Sequence, residues 1–418
     1  NMLIRFVTLH SPFGTPFSPF PEAASACRTP PMPMITDTQA LTEFCGRLRG
    51  ADYITVDTEF MREKTYWPIL CLVQVAGPDE AKAIDALAPG IDLTPLFDLM
   101  ADDSVLKVFH AARQDLEIFH HLAGRLPVPV FDTQVAAMVC GFGDSVGYEA
   151  LITKLVNAKI DKGSRFTDWT LRPLSDRQIN YAMADVTHLR PAYEKLAKKL
   201  HGNGRESWLE EEMAVLASPN TYNGNPTEAF RRIKARSTGP RMLAVLRELA
   251  AWRELEAQRR DVPRNRIIRD ESLVEIAHHT PSSTEQLART RGLGGKMANG
   301  SYGRQILEAV EKAKAVPEKD CPQHVHKPKL PRGIGPVTDL LKVLLKMKSE
   351  DSGVAVKLLA SASDVELIAA FGEDAKVKAL KGWRREVFGE DALKLRTGEM
   401  SLSVQGKKVK LVPSGETQ

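Results

Sequence analysis

A chain of 418 residues exceeds one ordinary hydrophobic core, so two or three domains are expected. With 43% hydrophobic and 26% charged residues the composition is that of a soluble globular protein, and no apolar run approaches the roughly 18–20 residues that span a bilayer. The net charge of +4 is unevenly spread: residues 1–218 carry 21 Lys+Arg against 28 Asp+Glu, and residues 219–418 carry 36 against 25. An acidic half joined to a basic half suits a protein that binds cations at one end and holds a polyanion at the other. The five cysteines (Cys27, Cys45, Cys71, Cys140, Cys321) form no Cys-x-x-Cys pair, which argues against a zinc site or a disulfide scaffold and fits a reducing cytoplasm.

Residues 1–33 hold seven prolines and no periodicity, and read as a disordered extension with the natural start near Met34. Regular patterning begins at Ile35. A helix is expected over Thr38–Leu48, then strands at Tyr53–Asp57, Leu70–Ala76 and Ala81–Asp85, the last two turning at Gly77-Pro78-Asp79. Leu93–Met100 reads as helix, Val105–Phe109 as strand, Asp115–Leu122 as helix and Val130–Asp132 as a short strand. Helices follow at Thr133–Cys140, Tyr148–Val156, Asp176–Lys199 and Glu206–Leu216. This is an α/β domain over residues 34–218, a mixed sheet flanked by helices.

Beyond residue 218 strand signals nearly vanish. Residues 219–238 read as a linker, and a helical bundle over 239–318 contains helices at Arg241–Arg260, Asp270–His278, Ser283–Thr290 and Gln305–Ala315. A second linker, 319–332, leads to another small all-α unit over 333–418. Its helices are expected at Val337–Lys348, Ser352–Leu359, Asp364–Ala370 and Ala379–Phe388, with a closing hairpin around Gln405-Gly406-Lys407.

The chemistry sits in three short stretches. Asp57 and Glu59 flank Thr58 at the end of the apolar run Tyr53-Ile54-Thr55-Val56, so both acids face one side of the strand and Thr58 faces away. Asp115 follows His110-Ala111-Ala112-Arg113-Gln114 at the start of a helix. Tyr181 and Asp185 stand four apart and share a helix face, with Ala182 and Ala184 leaving room beside them. Singly, each motif is an ordinary strand-end, first-turn or surface acid. As an ordered set, four carboxylates need a neutralising cation, and two oxygen-liganded Mg²⁺ or Mn²⁺ ions suit phosphodiester hydrolysis. Tyr181 then serves to orient the attacking water.

These motifs resemble the three exonuclease motifs of the DEDD superfamily, tyrosine subclass, and within it the ribonuclease D family. The supporting stretches are Val56-Asp57-Thr58-Glu59-Phe60, Leu72-Val73-Gln74-Val75, Phe109 to Glu117, Phe131-Asp132-Thr133-Gln134, Asp168-Trp169-x-x-Arg172-Pro173-Leu174 and Tyr181 to Val186. The helix Leu243–Arg253 and Pro263-Arg264-Asn265 resemble that family's first HRDC domain, and residues 333–418 a diverged second one.

The resemblance implies a ribonuclease H-like fold and 3′-5′ exoribonuclease activity on single-stranded 3′ ends. It also implies nucleoside 5′-monophosphate products, tRNA precursors as substrate and a cytoplasmic location. It makes Asp57, Glu59, Asp115 and Asp185 the metal ligands and Tyr181 the water-positioning residue. Phe60, Gln74, His110 and Arg165 are candidate RNA contacts. The basic clusters Arg231-Arg232-x-Lys234-x-Arg236 and Arg259, Arg260, Arg264, Arg266 and Arg269 are candidate phosphate contacts. A DNA exonuclease, or a nucleic-acid scaffold with an idle nuclease site, are the competing readings.

Overall fold

The computed structural model describes residues 34–161, 163–164, 166–235, 239–323 and 328–415, so the expected N-terminal extension lies outside the described residues. Ile54, Thr55 and Val56 are fully enclosed, because helices cover both faces of their strand. That strand, β1 (Tyr53–Met61), is central in a five-stranded sheet with β2 (Ile69–Ala76), β3 (Ala81–Asp85), β4 (Leu106–Phe109) and β5 (Val130–Asp132), in the order β3-β2-β1-β4-β5. β2 and β3 form the expected antiparallel meander, with Val73 opposite Ile84, while β1, β4 and β5 run parallel. Thr55 stands opposite Val108 and Phe109 opposite Asp132, so the chain after each parallel strand emerges at one edge, where α/β sheets place their ligands. β1 outlasts its expected end and carries Asp57 and Glu59 within the strand itself.

The helices of this domain are α1 (Thr38–Leu48), α2 (Thr94–Met100), α3 (Arg113–Ala123), α4 (Thr133–Val139), α5 (Tyr148–Val156), α6 (Asp176–Thr187), α7 (Leu189–Asn203) and α8 (Glu206–Leu216). The single helix expected over 176–199 is two helices meeting at His188. Pro191 has no N–H to give the Thr187 carbonyl, so the ladder breaks there. Lys107 on β4 is fully buried, and its ammonium donates to the carbonyls of Asp102 (2.6 Å), Val105 (2.7 Å) and Val128. Three donors meet three acceptors, and burial pulls its pKa down to about 7.

The chain divides into two compact units that interleave along the sequence. The first takes the chain up to Glu59, Cys71–Ser218 and the chain from Leu330 on; the second takes Phe60–Leu70 and Pro219–Lys329.

Within the first unit the C-terminal helices pack on α4 and α8. The Ala355 N–H donates to the Met138 carbonyl (2.9 Å), and Arg205 donates to the carbonyls of Val139 (3.1 Å) and Ser352 (2.5 Å). Trp383 stacks on Trp208 at 4.3 Å, and the buried Arg384 guanidinium bonds Glu211 (2.6 Å) and Glu212. Gly141, at φ 81°, leaves room for the Gly353 carbonyl, which a Cβ would meet at 2.5 Å. Gly353, at φ 61°, ends the helix Gly335–Ser352, so the helix expected over 352–359 shrinks to Val356–Leu359. The helix expected over 379–388 starts instead at Gly382, whose φ of 49° turns the chain, and runs through a π-turn at Arg385–Gly389 to Thr397. The hairpin pairs Met400–Gln405 with Lys408–Pro413.

The second unit is built on α9 (Pro240–Arg260), against which Asp270–His279, Ser301–Lys314 and a 3₁₀ turn, Pro226–Arg232, pack. The expected linker 219–238 therefore does more than connect: Ala229, Phe230 and Ile233 are buried in this core. The helix expected over 283–290 shortens to Thr284–Leu287. Tyr66, from the β1–β2 connector, is buried in the same core; its hydroxyl donates to Glu254 (2.5 Å) and accepts from Gln258 and Arg264 (both 3.0 Å).

Candidate active site

Strand alternation puts the side chains of Asp57 and Glu59 on the same side of β1, and helical spacing turns Asp185 of α6 toward them. Carboxylate oxygens of Asp57, Glu59 and Asp185 lie within 4.8 Å of one another. The first turn of α3 brings in Asp115, 7% exposed. Its carboxylate accepts the Thr58 hydroxyl. Thr58, pointing off the face of β1 opposite to Asp57 and Glu59 as expected, reaches the fourth acid and holds it.

The electrostatics follow from crowding. Burial, then Asp185, Asp115 and Glu59, push Asp57 well above the usual carboxylate range. Burial and the charges of Asp185 and Asp115 push Glu59 up to about 8. Burial takes Asp185 to about 7. Asp115 also rises to about 7, burial outweighing the Thr58 hydrogen bond. No lysine or arginine among the described residues forms an ion pair with any of the four. Four like charges without a counter-cation are held apart from protons only at a cost, and an all-oxygen donor set of this kind fits hard divalent cations.

Tyr181 lies one helical turn before Asp185, half-buried, with its ring 6.2 Å from that of the buried Trp169. A capping box, Ser175 with Gln178, fixes the start of their helix. Arg172 ties the preceding loop to the sheet through Asp85 (2.6 and 2.8 Å) and the Cys71 carbonyl (2.9 Å). Asp132 caps α4 and accepts the N–H groups of Ala111 (3.0 Å) and Ala112 (2.8 Å), fixing the turn before Asp115.

Sequence reasoning missed Tyr148. Its hydroxyl donates to the backbone carbonyls of Ala184 and Asp185, both at 2.8 Å, and so steadies the last acid of the cluster from behind. Of the candidate RNA contacts, Phe60 is half-buried beside Glu59. Gln74 is fully enclosed on β2, with neither amide atom hydrogen-bonded. His110 packs its ring edge-on to Tyr148 at 5.5 Å. Its Nδ1 is 3.0 Å from the Thr133 hydroxyl, which itself donates to the Phe109 carbonyl, so Nδ1 carries the proton. Arg165 lies outside the described residues.

The fold and the acidic cluster define a 3′-5′ exonuclease. The 3′-5′ exonuclease family matches residues 32–201, and the HRDC domain family residues 242–310. Ribonuclease D of Granulibacter bethesdensis is 50% identical over 398 residues, 94% of this chain and 99% of that protein. Ribonuclease D of Gluconacetobacter diazotrophicus is 50% identical over 91% of this chain and 97% of its own length. The crystal structure of Escherichia coli RNase D, an exoribonuclease involved in structured RNA processing, aligns with a TM-score of 0.75 at 32% identity, covering 88% of this chain and 98% of that one. The chain belongs to the ribonuclease D family of exoribonucleases. Among the described residues no helix is long and apolar enough to cross a membrane.

Proposed function

We propose that Asp57, Glu59, Asp115 and Asp185 hold two divalent cations, Mg²⁺ or Mn²⁺, and that the chain removes nucleoside 5′-monophosphates from single-stranded RNA 3′ ends, tRNA precursors among them, in the cytoplasm. The observation that carries this reading is the cluster of four carboxyls with raised pKa values and no basic partner. Bound there, the cations supply a water of lowered pKa and neutralise charge on the departing 3′-oxygen. The protein's own part is positional. Thr58 and Tyr148 set the acids, and the Tyr181 phenol hydrogen-bonds and orients the attacking water. The helical units, residues 239–318 and 333–418, act as HRDC-like domains that hold the RNA. Phe60, His110 and Arg165 contact its terminal nucleotides; Gln74, also a candidate from the sequence, is fully enclosed on β2 and does not reach them.

The test is hydrolysis of matched 3′- and 5′-labelled RNA and DNA strands with Mg²⁺ or Mn²⁺, with EDTA and Asp57→Asn as controls. Stepwise 3′ shortening of RNA, abolished by both controls, is the expected result. Preference for DNA overturns the substrate, and hydrolysis that survives EDTA overturns the metal site.

A further inference from the structure

The acidic cluster leaves one buried group beside it unexplained. Gln74 on β2 is fully enclosed, and neither its amide oxygen nor its amide nitrogen has a hydrogen-bond partner among the described residues. Such a group costs free energy in the resting fold, and a native chain seldom keeps one without a use. Its place in the sheet shows which use. β1 and β2 are neighbours joined by residues 62–68, too few for the crossover that a parallel pair requires, so they run antiparallel. The Thr55 hydroxyl donates to the Val186 carbonyl of α6 (2.9 Å) and lies 3.5 Å from the Ala76 carbonyl of β2. Two residues on from Thr55 is Asp57, and two residues back from Ala76 is Gln74. The pleat therefore sets Gln74 beside Asp57 on the face that α6 covers, with about 5 Å between their Cβ atoms. Gly77, one residue past Ala76, faces the other way: a Cβ there would meet Leu48 of α1 at 2.2 Å.

We infer that Gln74 is a positioning residue for Asp57: its Nε2–H donates to the Asp57 carboxylate when that group is ionised and holding cations, and so fixes where its oxygens point. A hydrogen bond to a carboxylate is about twice as strong as one to a neutral acceptor, so the amide gains most when the acid is charged. Carboxylates that bind metal are commonly oriented by a donor behind them. Two members of the cluster already have such support, Asp115 from the Thr58 hydroxyl and Asp185 from Tyr148 at its backbone. Asp57 has no side-chain donor among the described residues, and Gln74 is the unspent donor next to it. The role needs no contact with RNA, in keeping with the full enclosure of Gln74.

This role rests on the metal-site reading. The experiment compares the full-length wild type with Gln74→Met, which keeps the length of the side chain and removes the amide. Calorimetry follows Mn²⁺ binding, thermal melting is recorded in EDTA, and steady-state hydrolysis of a single-stranded RNA is measured at saturating Mn²⁺. The expected result is a roughly tenfold weaker Mn²⁺ affinity and a kcat lowered roughly tenfold at unchanged KM. The metal-free melting temperature is expected to rise by about 2–4 °C, because an unpaired buried amide has gone. A purely structural glutamine moves the other way: earlier melting with unchanged Mn²⁺ affinity overturns the proposal. A raised KM at unchanged kcat makes Gln74 an RNA contact and overturns it as well. Gln74→Leu repeats the comparison should methionine pack poorly, and early melting of both variants shows that the amide has a partner in the resting fold, which also overturns it. Wild-type protein that takes up no Mn²⁺ removes the metal site itself, whereas wild-type uptake with unaffected variants removes the role of Gln74 alone.

Discussion

The acids of the nuclease cluster and the acids of α9 are both shielded from water, yet they are managed in opposite ways. Glu254 and Glu256 on α9 each have arginine partners, and both carboxyls are held below the usual range. Asp57, Glu59, Asp115 and Asp185 have no basic partner among the described residues and are all pushed up. A neutralised acid belongs to the fold. An acid left uncompensated by its own chain marks a place where charge must come from outside.

Replacement of one cluster acid separates these cases most sharply. Asp57→Asn is expected to lower hydrolysis about a thousandfold while raising the metal-free melting temperature by about 2–4 °C, since Asp57 must take up a proton to be buried near neutral pH and Asn need not. Calorimetry with and without Mn²⁺ alongside a hydrolysis assay checks both halves. A destabilised metal-free variant would break the comparison.

The pH response comes next in size. In the metal-free protein the raised carboxyls keep protons that the unfolded chain has released above about pH 4. Stability is therefore present at low pH and lost as pH rises through 7 to 8, on the order of 1 kcal/mol per pH unit. Denaturant midpoints between about pH 5 and 8 should fall without metal, and saturating Mn²⁺ should offset the fall.

Glu254→Gln tests the other side. It strands Arg264 and is expected to cost about 2 kcal/mol, less than a fully buried pair because Arg264 is 36% exposed. Urea unfolding measures the loss, and a rescue by Mn²⁺ would contradict its purely structural role. The smallest effect is expected from Tyr148→Phe, about 1 kcal/mol, read as a several-fold weaker Mn²⁺ affinity in calorimetry with the melting temperature nearly unchanged.

The acids and Tyr181 were legible in the sequence because local rules place them: period two on β1, the first turn of α3, and a spacing of four on α6. The sheet was legible for the same reason. Thr58 and Tyr148 were not, because their partners are 57, 36 and 37 residues away and nothing beside them in the chain marks the pairing. The break at His188 was written in Pro191 but masked by the continuing apolar spacing. The interleaving of the two units escaped too. Proline- and glycine-rich stretches show where the chain turns, not which surfaces it later buries, and Phe230 in an expected linker is a core residue.

That interleaving has a consequence for synthesis. Tyr66 leaves the ribosome 188 residues before Glu254, the carboxylate its hydroxyl meets. Glu212 likewise precedes Arg384 by 172 residues. The second unit cannot close around Tyr66 until the chain has passed Glu254, and the first cannot cover α8 until Arg384 is made, so the nascent protein carries each of these surfaces uncovered for more than 170 residues of its growth. Pausing, premature termination or a nonsense mutation late in the message would therefore release a fragment whose nuclease sheet is formed but whose apolar and acidic seams are bare.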